Sequence, residues 1–215
     1  MTTLQVDFVS DVACPWCAVG LASFEQALKD VDGDLAVELH FQPFELNPTM
    51  GAEGADAAEY LIAKYGMSRE QLAENRARIA ERGAAVGFRF GERKHVWNTF
   101  DAHRLLQWAG AEGPPGSQHA LKKALLQAYH GEGRNPAAHD VLLELALAVG
   151  LDAERAAAVL AGTEFIGAVR EAERFWQQAG INAVPAVVIN KRHLISGGQP
   201  PEVFAQALRK IAAEG

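Results

Sequence analysis

The chain has 215 residues, with 27 Asp and Glu against 20 Lys and Arg, a net charge of -7, and 49% hydrophobic residues. That size suits one globular domain, or one plus an insertion, with a core that needs no covalent staple. No run of Lys or Arg occurs, so neither nucleic-acid binding nor docking on anionic membranes is expected, because both need clustered positive charge. The opening MTTLQVDFVS has no basic segment followed by an apolar run, and no stretch of about 18 apolar residues appears, so neither a secretory signal nor a membrane span is expected.

Leu4, Val6 and Phe8 alternate with Gln5 and Asp7, which predicts a strand over about residues 3–9. Behind the loop Ser10-Asp11-Val12-Ala13, apolar residues recur at Cys17, Leu21, Phe24 and Leu28 along one helical face. Pro15 suits the first helical turn, where a missing N–H costs nothing. A turn at Asp32-Gly33 leads into a second alternating segment, Leu35, Val37, Leu39 and Phe41. From about 51 to 180 the pattern changes, since 28 of the 39 alanines lie there and Gly and Pro punctuate helical stretches. Helices are predicted over about 54–65, 68–85, 97–110, 116–130, 137–149, 152–161 and 163–179, with brief strand character at Phe88-Arg89-Phe90. Near the C-terminus, Ala186-Val187-Val188-Ile189 and Leu194-Ile195-Ser196 are short apolar runs around an Asn190-Lys191 turn. Gly197-Gly198 and Pro200-Pro201 then open a final helix to about Ala213.

Strands from both ends complete one mixed sheet, so the expected class is α/β with a helical block inserted as a surface lobe. Residues 1–50 and 181–215 make up the sheet domain and 51–180 the insert, whose last helix has the alternative of belonging to the sheet domain.

The chain's only cysteines, Cys14 and Cys17, fall between the first strand and the first helix, in Cys14-Pro15-Trp16-Cys17. A cysteine at a helix N-terminus meets unpaired N–H groups and the positive end of the dipole, which stabilise a thiolate. Cys14 is therefore the candidate nucleophile, and Cys17, one turn on and more buried, the resolving thiol. A zinc site would need four ligands, and the seven histidines are scattered at 40, 95, 103, 119, 130, 139 and 193. Two inert core cysteines are disfavoured by the placement in an exposed turn with an intervening Pro. Val184-Pro185 precedes an apolar run, where an ordinary trans bond is the better expectation on its own and a cis bond an option.

Taken together, these segments resemble the DsbA-like branch of the thioredoxin superfamily, and most closely its FrnE-type members. The resemblance is carried by Val6 through Cys17, Phe41-Gln42-Pro43-Phe44-Glu45-Leu46-Asn47-Pro48, Asn98-Thr99-Phe100-Asp101-Ala102-His103-Arg104-Leu105, and Val184-Pro185 with Ile195-Ser196-Gly197-Gly198-Gln199-Pro200. It implies a thioredoxin fold interrupted by a helical domain, with Pro185 in cis against the CxxC and Val184 and Pro185 offering backbone to a substrate cysteine peptide. In DsbA-type oxidants a His between the cysteines helps the thiolate. Trp16 cannot, so the helix terminus is expected to be the main activator and the couple to be less oxidising. Trp16 supplies either an exposed apolar surface or a contact with the insert. Asp11 and Asn98 are weaker candidates, each with helix or loop capping as the simpler role, and His103 reads as structural. Pro43 to Pro48 is read as a rigid connection bordering the cleft.

The expected activity is a cytoplasmic thiol–disulfide oxidoreductase needing no metal or organic cofactor. Its partners are cysteine-containing proteins or peptides, with the thioredoxin or glutathione system as electron donor. The rival is a glutathione-dependent transferase or isomerase. Ser10-Asp11-Val12-Ala13-Cys14-Pro15 is similar to the Asp-x-x-Ser-Pro segment of kappa-class glutathione transferases and 2-hydroxychromene-2-carboxylate isomerases, which share the fold. Retention of both cysteines, and Gly197-Gly198-Gln199-Pro200 in place of a Ser-Asp pair, weigh against it. A non-catalytic peptide-binding module ranks last.

Overall fold

The computed structural model describes residues 3–31 and 35–214, so the turn expected at Asp32-Gly33 lies outside the described residues. In chain order the elements are β1 (Thr3–Ser10), α1 (Pro15–Asp30), β2 (Ala36–Pro43), β3 (Ala55–Asp56), α2 (Ala57–Tyr65), α3 (Arg69–Ala85), β4 (His95–Val96), α4 (Phe100–Glu112) and α5 (Ser117–Leu126). A π turn (Gln127–Gly131), α6 (His139–Ala148), α7 (Ala153–Ala161), α8 (Ile166–Gln178), β5 (Ala186–Ile189), β6 (His193–Ser196) and α9 (Pro201–Glu214) follow.

The main sheet has the order β2-β1-β5-β6 and so joins the two ends of the chain. β1 runs parallel to β2, with Phe8 opposite Phe41, and antiparallel to β5, with Phe8 opposite Val187. Helix α1 supplies the crossover that parallel neighbours require. Asn190 and Lys191, with φ of 51° and 55°, make the tight β5–β6 turn.

Both faces of the sheet are covered. On one, Phe8, Phe24 of α1 and Phe204 of α9 pack ring to ring, with centroids 6.3 and 5.4 Å apart. On the other, Val9, Ala186 and Val188 meet Trp176 of α8. The remaining helices bury their own core around Leu105, Leu121, Leu125, Leu142 and Val159, and Val12 and Ala13 belong to that cluster. The loop just before Cys14 is thus anchored in the helical lobe. Buried Arg104 ties that lobe together, with Nε on the Glu164 carbonyl (3.0 Å) and guanidinium N–H groups on Asp101 and the Gly162 and Val159 carbonyls. No helix among the described residues is long and apolar enough to cross a membrane.

Several boundaries differ from the sequence reading for local reasons. Residues 55–56 pair with 95–96 as a two-residue ladder, and Asp56 caps α2 through the amides of Ala58 and Glu59, so the expected 54–65 helix starts later. Helix α4 begins at Phe100 because Asn98 and Thr99 occupy its approach. The expected 116–130 helix widens into a π turn at 127–131, a distortion that often marks functional sites. Phe88-Arg89-Phe90 is not a strand: the Phe88 amide donates to the Gly83 carbonyl at 2.8 Å, and the two rings pack on each other at 4.7 Å. Alternating aromatics imitated a strand that has no partner.

Candidate active site

Cys14 is the N-cap of α1, with Pro15 as the first helical residue, so the helix axis starts at the reactive pair. Contrary to the exposed turn expected, both cysteines are buried: Cys14 is 5% exposed and Cys17 fully enclosed, and the sulfurs are not bonded to each other. The Cys14 thiol donates to the Val184 carbonyl at 3.5 Å. The Val184–Pro185 peptide bond is cis.

The two thiols are driven apart. Cys14 is held below the ordinary thiol value, first by the hydrogen bond from the Cys17 side chain, which outweighs its burial, with the amides of Cys17 and Trp16 adding to it and the Asp11 charge opposing it. Burial pushes Cys17 well above that value, and the neighbouring Cys14 adds to the rise. The helix terminus therefore contributes to the Cys14 thiolate, but the second thiol is its first stabiliser. A hydrogen bond to the charged form lowers a pKa, and desolvation of the same charge raises it.

Cys14, Pro15, Trp16 and Val184 line one cleft of about 1040 Å³ between the sheet domain and the α2–α3 pair. Phe44, Glu45, Leu46 and Asn47 form its border, where the Pro43 to Pro48 connection was expected. Pro185 is buried behind this wall. A Cβ on Gly20 of α1 would lie 2.9 Å from the Pro185 ring and 3.3 Å from Gly198, so only glycine permits this approach. A glycine inside an otherwise helical pattern was the signal that sequence reading passed over.

Asp11 and Asn98 do not line the cleft. Asp11 is fully buried and accepts from the amides of Ala13 (2.9 Å) and Leu46 (2.7 Å) and the Thr99 hydroxyl (2.8 Å), with His103 Nε2 at 3.3 Å. Burial alone would raise its pKa, but the His103 bond and charge and the two amides outweigh that, and the carboxyl sits below its ordinary value. Asn98 accepts from the Phe100 amide and donates to the Met50 carbonyl, which is capping and tethering. His130, in the π turn, faces the Val12 carbonyl at 2.8 Å, and burial takes it down to about 3, so it is neutral.

Sequence reading missed Lys122. It is fully enclosed on α5, its Nζ has no partner among the described residues, and burial pulls its pKa down while Cys17, Asp11 and Cys14 pull it up. A lysine within an apolar helical stretch gives no sign of whether it points in or out. An unpaired buried cation is costly. Lys122→Met should therefore raise the unfolding free energy in urea by about 1–3 kcal/mol. Because Lys122 also draws the Cys17 thiol down, the same variant should slow closure of the Cys14–Cys17 disulfide. A loss of stability would mean that the ammonium is well solvated or paired.

The sheet order, the CxxC at the start of α1 and the facing proline loop define a thioredoxin-type protein. Residues 5–209 match the family model of the DSBA-like thioredoxin domain, and the chain belongs to that family. It is 37% identical to the probable DsbA oxidoreductase SCO1869 of Streptomyces coelicolor over 99% of this chain and 91% of that one, with a TM-score of 0.89. Two further solved structures share the fold. One is a 2-hydroxychromene-2-carboxylate isomerase, 14% identical over 98% of this chain and 97% of that one, with a TM-score of 0.72. The other is the cytosolic disulfide reductase DsbM of Pseudomonas aeruginosa with GSH, 22% identical over 96% and 98%, with a TM-score of 0.65.

Proposed function

We propose that the protein is a thiol–disulfide oxidoreductase, with Cys14 as nucleophile and Cys17 as resolving thiol. The observation that carries this reading is the geometry of the pair: Cys14 caps α1 and lines the cleft beside the Val184 carbonyl, with Cys17 fully enclosed one turn on, an arrangement that drives the two thiols apart in acidity. In the reducing direction the Cys14 thiolate attacks a substrate disulfide. A Cys14–substrate bond forms, the substrate S–S bond breaks, and the electron pair leaves on the released thiolate. Cys17 then loses its proton and attacks the Cys14 sulfur, which closes the Cys14–Cys17 disulfide and frees the second substrate thiol. Two electrons pass to the substrate, and a dithiol of the thioredoxin system or two glutathione molecules return them. The Val184 carbonyl stands beside the Cys14 sulfur with Pro185 buried behind it, and Trp16 offers apolar surface to the substrate. The cysteine-containing substrates are proteins or peptides, the compartment is the cytoplasm, and no metal or organic cofactor takes part.

A second reading, a glutathione-dependent isomerase or transferase, draws on the likeness to the isomerase fold and on Cys14 standing at the serine of the Asp-x-x-Ser-Pro segment. The two readings part at Cys17, which only the redox reading uses. The experiment is the equilibrium reduction potential of the pair in glutathione buffers, followed by tryptophan fluorescence because Trp16 adjoins the sulfurs. We expect a reversible two-electron transition nearer the roughly -270 mV of thioredoxin than the about -120 mV of DsbA, since no His stands between the cysteines. Absence of any reversible transition would overturn the redox reading in favour of the second.

A further inference from the structure

Resting on the oxidoreductase reading, we infer that the cleft selects a cysteine-bearing polypeptide segment whose residues around the cysteine are acidic. The chain carries seven more acids than bases, yet the cleft reverses that balance. Lys64, Arg76, Arg78 and Arg93 line it, and among the described residues none of the four has a carboxylate within ion-pair distance. Among the other arginines, Arg104, Arg134, Arg155 and Arg170 are paired and the rest are scattered over the surface, so the cleft is where unpaired cations gather in a concave site. The two acids that line the cleft are already engaged, Glu45 with Arg170 and Glu92 with Lys94. Asp56, whose charge Arg76 feels, is held by the amides of Ala58 and Glu59.

Two of the cations are fixed on the cleft wall by neutral oxygens. Arg93 donates to the Ala13 carbonyl, next to Cys14, at 3.0 Å, which leaves most of its N–H donors free. Lys64 is held by the Leu46 carbonyl (2.7 Å) and the Asn47 side chain (2.6 Å). Arg76 and Arg78 lie exposed on α3 along the outer wall. Clustered unpaired cations in a concave site raise the local concentration of anions and speed their arrival. The cavity, about 1040 Å³ in volume, is at the top of the roughly 300–1,000 Å³ range of small-molecule sites. A segment of several residues fills it better than one small thiol does, and its cysteine reaches the recessed Cys14 without a folded surface having to enter.

The test uses the Cys17→Ser protein, in which only the first exchange runs. The probes are peptides identical except for Glu, Gln or Lys beside a single cysteine, each carrying a disulfide to thionitrobenzoate, together with glutathione carrying the same group. Cys14 attacks the probe's own cysteine sulfur. A Cys14–probe disulfide forms, the probe–thionitrobenzoate bond breaks, and the electron pair leaves on the coloured thiolate, the better leaving group. Each rate is divided by that of the same probe with a neutral small thiol, which removes intrinsic differences in reactivity.

The Glu peptide is expected to outpace the Lys peptide by about tenfold or more at low salt. The gap should narrow as salt is added, and it should shrink in the Arg76→Gln/Arg78→Gln variant. Equal, salt-insensitive peptide rates would overturn the inference and leave the oxidoreductase reading intact. A glutathione probe faster than the Glu peptide would overturn it in favour of a small anionic thiol. No thionitrobenzoate release from any probe would instead sink the oxidoreductase reading itself.

Discussion

Cys14→Ser is expected to reduce thiol–disulfide exchange by roughly a thousandfold or more, to the background of the assay, because a hydroxyl at this position is not ionised near neutral pH. Cys17→Ser should behave differently. It keeps the nucleophile but removes the attacking group of the second step, so a mixed disulfide between Cys14 and substrate should accumulate and survive non-reducing electrophoresis. It also replaces the thiol whose hydrogen bond is the first stabiliser of the Cys14 thiolate. A thiolate absorbance titration should therefore place Cys14 higher in Cys17→Ala than in the wild type. The Ala variant suits this measurement better than Ser, whose hydroxyl preserves a donor. A Cys14 titration unmoved by Cys17→Ala would return the main role to the amides of Trp16 and Cys17. Full exchange activity in Cys14→Ser would remove Cys14 from the chemistry altogether.

Much of this arrangement was legible in the sequence. Strand alternation at Leu4, Val6 and Phe8 pointed to the sheet because successive side chains face opposite sides, and the apolar run at 186–189 did so because β5 is buried on both faces. The CxxC between a strand and a helix put a thiol at an N-cap from local order alone. What stayed hidden depends on contacts between residues far apart in the chain. Nothing near Asp11 signals that Thr99 and His103, some ninety residues on, close around it. Likewise the four cleft cations sit on α2, on one turn of α3 and in the loop before β4, where each looks like a solvated surface charge. The π turn escaped for another reason: its residues have ordinary helical propensity, and the widening is set by where Tyr129 and His130 must point, to the carbonyls of His95 and Val12.

Asp11→Ala is expected to lower the unfolding free energy by about 4 kcal/mol, measured in urea near neutral pH, because it strands several buried donors at once. The carboxylate is fully enclosed and receives the Ala13 and Leu46 amides and the Thr99 hydroxyl, with His103 beside it. Those groups come from the loop before Cys14, the Pro43 to Pro48 connection and the start of α4, so one side chain pins sheet domain and helical lobe to the reactive turn. Asp11→Asn should cost less, since its oxygen still accepts, but its NH₂ then faces a donor. The sign of the pH dependence follows from the lowered carboxyl. Because the folded value lies below the unfolded one, near about 3.9, the stabilisation is complete above that pH and is lost as pH falls through the folded value. The stability gap between wild type and Asp11→Asn should accordingly close in acid. Activity should move the opposite way, because the Asp11 charge opposes the Cys14 thiolate, and Asp11→Asn should shift the Cys14 titration further down. A variant as stable as the wild type with an unchanged Cys14 titration would show that the buried carboxylate neither joins the two parts nor tunes the thiol.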